Sequence, residues 1–92
     1  MSESSLSEYL QYIRNILAQY TKVNREAHLL CAISLLKHME EYAEDFTKLD
    51  ELKGQFLDAF DHLLMFMELS GVNIESLLRS EITNLKEQGI LQ

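Results

Sequence analysis

The chain has 92 residues, 47% of them hydrophobic and 25% charged, with eight Lys and Arg against fifteen Asp and Glu for a net charge of −7. That length makes it one small domain over residues 1–92, and the acidic balance excludes a nucleic-acid binder working through a basic face. No apolar run approaches the roughly 18 residues of a membrane-spanning helix, so no membrane partner is expected. Met1 to Ser5 is polar, without the apolar core of a signal peptide, and the single cysteine, Cys31, rules out an internal disulfide and points to a reducing, cytoplasmic setting. With no proline and only three glycines, the chain favours an all-α, four-helix bundle-like domain. A chain this short buries only about 60–65% of its unfolded surface, so further burial in a homodimer or homotetramer is expected.

Four helices are predicted in chain order. In the first, Leu6, Tyr9, Leu10, Ile13, Ile16, Leu17 and Tyr20 recur at three- and four-residue steps as one apolar stripe, with Ser4 or Ser5 as its cap. Residues 1–5 fray, and Thr21 to Asn24 forms a turn. The second helix runs from Asn24 to Phe46. Its centre, Leu29 to Leu36, is apolar nearly all round, which predicts a central helix packed on several sides with Cys31 inside the core. Thr47 to Gly54 reads as a short polar connection in which Asp50 serves as a cap. The third helix, Gln55 to Leu69, carries Phe56, Phe60, Leu63 and Met67 on one line. Gly71 then supplies a left-handed closing residue and Asn73 caps a fourth helix with Ile74, Leu77, Leu78, Ile82 and Leu85 as its stripe. Residues 88–92 form a frayed tail.

The acid is concentrated. Nine of the carboxylates lie between Glu40 and Glu68, opposed there only by Lys48 and Lys53. Glu41 and Glu44 are three apart, as are Asp58 and Asp61, so each pair projects from one side of its helix. Asp61 stands on the line Leu57–Asp61–Leu64, where a lone ionised carboxylate is costly to desolvate; a cation from another helix or a metal ion is expected to compensate it. The short connection makes helices two and three antiparallel, and Glu40, Glu41 and Glu44 are expected to face Asp58 and Asp61 across a groove. Several carboxylates around one space suit a hard dication, Mg²⁺ foremost with Mn²⁺ as a substitute.

Glu40-Glu41-Tyr42-Ala43-Glu44, a thirteen-residue gap and Asp58-Ala59-Phe60-Asp61 resemble the signature of the MazG-like all-α nucleoside triphosphate pyrophosphohydrolases, Glu-Glu-x-x-Glu followed after a dozen or more residues by Glu-x-x-Asp. The similarity covers about Leu29 to Lys86. It implies cleavage of a ribo- or deoxynucleoside triphosphate to the monophosphate and pyrophosphate, in the service of clearing or balancing nucleotide pools. It assigns the metal to Glu41, Glu44, Asp58 and Asp61, activation of water to Glu40 or Glu44, and phosphate contacts to Lys37, Arg79, Asn84 and Lys86. Tyr9, Tyr12 or Phe66 would line the base pocket. The chain departs from the pattern at Asp58, one methylene shorter than the usual Glu, and the spacing of Arg79, Asn84 and Lys86 does not match cleanly.

A blander alternative stands beside this one: a non-catalytic helical protein-interaction module with an acidic, solvated face. In that case Lys37 is a surface residue paired with Glu41 one turn on. His28, His38 and His62 lack partners at zinc-site spacing and are read as surface or packing residues.

Overall fold

The computed structural model describes residues 5–19 and 24–90. It is all helical among these residues: α1 (Ser5–Gln19), α2 (Arg25–Glu41), a 3₁₀ turn (Phe46–Lys48), α3 (Leu49–Leu69) and α4 (Ile74–Glu87). The expected cap Ser4, the end of the first stripe at Tyr20 and the turn residues 21–23 lie outside the described residues, and Ser5 is the first residue of α1.

Local chemistry explains most of the boundaries. Asn24 opens α2 by accepting the Glu26 amide at 2.8 Å, and Asn73 opens α4 by accepting the Ser76 amide at 3.0 Å. Gly71, at φ 81°, closes α3 as expected: its amide reaches the Glu68 carbonyl while Val72 bonds back to Met67. Gly89, at φ 76°, repeats the device after α4, with Ile90 bonding to the Leu85 carbonyl. Residues 88–90 therefore form a Schellman turn rather than a frayed end, and residues 91–92 of the expected tail lie outside the described residues.

The α2–α3 connection departs from expectation. α2 stops at Glu41, five residues short of the predicted Phe46, because Asp45 captures the amide and hydroxyl of Thr47 and winds the chain into the 3₁₀ turn. α3 begins at Leu49 and runs through Gly54, which tertiary contact tolerates at a propensity cost of about 1 kcal/mol. Asp50 is not a cap; with Glu51 it lies in the first turn of α3, where negative charge suits the helix dipole.

α2 and α3 form a close antiparallel hairpin, and α1 and α4 lean on α3, not closely on α2. The small side chains of Ala32 and Ala59 are buried at its centre and let the backbones approach. A second centre gathers Leu10 and Ile13 of α1, Leu64 of α3 and Ile74 of α4, with Tyr9, Phe60, Met65 and Met67 around them. Helix two is thus peripheral, not central: Ala32 is its only buried residue, and Cys31 is exposed rather than in the core. Leu30, Ile33 and Leu36 are 58%, 42% and 48% exposed.

Candidate functional site

The register of the hairpin decides the fate of the acidic residues. His28 Nδ1 lies 2.9 Å from His62 Nδ1. One turn earlier on α2, Arg25 sits over the Phe66 ring and donates to Ser70 Oγ at 3.0 Å. Asp61 is therefore level with the start of α2. Glu41 lies at the other end, about 20 Å further along the axis at 1.5 Å per residue, and Glu44 stands beyond the helix in the turn. The predicted facing of Glu40, Glu41 and Glu44 with Asp58 and Asp61 does not occur. The physical reason is the early start of α3. The last turns of α2 do meet the first turns of α3, but those are residues 49–56, and the Asp58/Asp61 pair comes later.

The remaining members of the predicted site are dispersed. Glu40, Glu41, Glu44 and Asp58 are exposed, and Glu41 makes a 3.8 Å contact with His38 Nδ1, not the expected pair with Lys37. Lys37 is exposed on α2, while Arg79, Asn84 and Lys86 are exposed on α4. Arg79 lines a polar groove together with Arg14, Glu68, Asn73, Glu75 and Ser76. Tyr9 packs beside Tyr12 and stacks on Phe60, whereas Phe66 lies under Arg25. Among the described residues no group of three or more His, Cys, Asp or Glu could hold a metal ion. The donor set that the acidic motifs imply does not fit Mg²⁺ or Mn²⁺ in this arrangement.

Asp61 does keep the character expected of it. It is half-buried, its Oδ1 has no hydrogen-bond partner among the described residues, and burial pushes its carboxyl above the usual range, opposed by the charge of neighbouring His62. No Arg or Lys compensates it by an ion pair among those described.

Two features lie beyond the reach of sequence reasoning. Spacing marks His28 and His62 only as separate packing residues, yet they share one hydrogen bond in which one Nδ1 donates and the other accepts. Burial, and then the charge of His62, hold His28 below the ordinary imidazole range, and its Nε2 has no partner among the described residues. Their 34-residue separation carries no local signal. Arg14, off the stripe of α1, ties three helices by reaching Glu68 at 3.2 Å and Glu75 at 3.9 Å.

Apolar surface is also left open. Tyr12, Tyr9, Phe60 and Phe56 form a ladder with ring centroids 6.3, 5.9 and 5.7 Å apart in succession. Leu6, Tyr9, Phe56, Leu57 and Phe60 line an open groove between α1 and α3. Phe56 is 51% exposed. No protein-family model matches the chain, and neither a curated protein nor a solved structure is significantly similar to it.

Proposed function

We propose that this chain is a non-catalytic helical protein-interaction module whose working surface is the apolar side of the α2–α3 hairpin. The observation that supports this is the exposure of Ile33 and Leu36 on a helix with one buried residue. Contiguous apolar surface of this kind on a helix face marks a place where another polypeptide docks. The exposed carboxylates then keep the rest of the molecule hydrated.

A nucleoside triphosphate pyrophosphohydrolase is the second reading, favoured by Asp61. An unpartnered half-buried carboxylate costs stability and is more readily understood where it serves chemistry. In this reading Glu41 and Glu44 would have to come level with Asp58 and Asp61, which requires a different hairpin register.

One panel separates the two: ribo- and deoxynucleoside triphosphates with Mg²⁺ or chelator, alongside thermal melting with Mg²⁺ and at matched ionic strength. The module gives no metal-dependent monophosphate and pyrophosphate and no Mg²⁺-specific rise in Tm. Metal-dependent pyrophosphate release would overturn it and establish the hydrolase.

A further inference from the structure

The face that α2 and α3 leave bare has a definite shape. Taking the line through His28, Ala32 and Met39 as the side of α2 that meets α3, Leu36, Leu29 and Ile33 lie between about a sixth and a third of a turn round from it. The same rotation on α3, measured from Ala59, leads to Phe56, Phe60 and Leu63. Because the helices are antiparallel, equal rotations bring both sets to one side of the hairpin. α1 covers part of the α3 half and leaves the α2 half open. Glu40, one turn beyond Leu36 on the same line, marks where the apolar stripe ends.

Over the whole chain, the surface left open is large enough for an interface with a partner of this size. The accessible surface is 7121 Å². A compact monomer of 10.7 kDa exposes about 5,500 Å². The radius of gyration, 15.6 Å, likewise exceeds the roughly 12 Å of a compact chain of this length. The excess of about 1,600 Å² is more than the approximately 800 Å² per partner that a stable interface buries. A fold with six buried apolar residues among those described has too small a core to stand well alone.

We propose that the occupant is a second copy of this chain, packed hairpin against hairpin about a two-fold axis. This rests on the interaction-module reading and names its partner. Two α2–α3 hairpins joined in this way make a four-helix core, with Ile33, Leu36 and Phe56 of each copy at the seam and α1 of each flanking it. A two-fold arrangement suits the surface because one apolar patch then serves both copies and is consumed by closure. Ser34, on the other side of α2 from Ile33 and Leu36, stays outside the seam, as does the exposed Cys31.

Sedimentation equilibrium of the full chain over a wide concentration range tests this, with Ile33→Glu and Ser34→Glu as a matched pair. Each adds one negative charge to the same helix. The expected result is a mass of twice 10.7 kDa for the wild type and Ser34→Glu, and a dissociation constant raised at least about tenfold for Ile33→Glu with helicity retained. Should Ile33→Glu fail to fold, thiol labelling replaces it. The thiol of Ile33→Cys in a Cys31→Ser background becomes protected as concentration rises, whereas Cys31 of the wild type does not. A single-chain mass at every concentration, or equal effects of the matched pair, or equal protection of the two thiols, overturns the proposal. Failure here leaves the nucleotide panel as it stands, and pyrophosphate release in that panel would overturn the module without altering the measured mass.

Discussion

Asp61 and His28 make opposite demands on pH. The carboxyl of Asp61 is raised above 3.8 by burial, so the stability it contributes is present in acid, below 3.8, and is lost as pH rises through its folded value. At neutral pH its charge is a net cost. Asp61→Asn should therefore melt a few degrees higher than the wild type at neutral pH, with the difference vanishing below pH 3.8; melts followed by circular dichroism at the two pH values check it. His28 behaves in the reverse sense. Its folded value lies below 6.5 because of burial and then His62, so the neutral ring favours folding and the contribution is complete above pH 6.5. It is lost as pH falls below that. Asp61 on α3 interacts with His62 electrostatically, and no ion pair to His28 is present among the described residues. Chemical denaturation across this window should show stability falling toward acid, with a shallower fall in His28→Gln.

At the scale of elements, the two glycines of the hairpin region separate propensity from conformation. Gly54 lies inside α3 with open space where a Cβ would stand, so Gly54→Ala should stabilise by about 0.5–1 kcal/mol. Gly71 also has open space but sits at φ 81°, where a Cβ is strained, so Gly71→Ala should destabilise by about 1–2 kcal/mol. Urea unfolding of both variants, fitted with a common slope, would show shifts of opposite sign; shifts of the same sign would mean that available space and not backbone conformation governs these sites. Such local rules are legible in the residues themselves: the cap at Asn73 and the close at Gly71 follow from side-chain and backbone chemistry within a few positions. The ends of α2 and α3 are not legible in this way. Periodicity carries the second helix on through Glu44 to Phe46. The capture of Thr47 by Asp45 stops it, and that interaction competes with the helix by a margin too small to read from residue types.

At the scale of the whole molecule, the hairpin, the open α2 face and the small interior belong together. The exposed side of α4, with Leu77, Leu78 and Ile82 half open, adds to the same imbalance between apolar content and monomer burial. If burial is completed between copies, folding and association are linked, and Tm must rise with protein concentration. Scanning calorimetry over a wide concentration range would detect this, and a Tm independent of concentration would indicate a self-sufficient monomer.

The sequence alone determined that the chain is all-α, that it has four helices with apolar stripes, that Asn73 caps the fourth and Gly71 closes the third, and that Asp61 sits where a carboxylate is costly. These depend on period, capping and side-chain type, all encoded within one or two turns. Only the tertiary structure decided the register of α2 against α3. That register separated Glu41 and Glu44 from Asp58 and Asp61, joined His28 to His62, and left α2 at the edge instead of the centre. Its physical basis is non-local: the close approach at Ala32 and Ala59 and the length of the turn between the helices set which residues lie opposite, and a shift of a few residues in where a helix begins moves every pairing along its length.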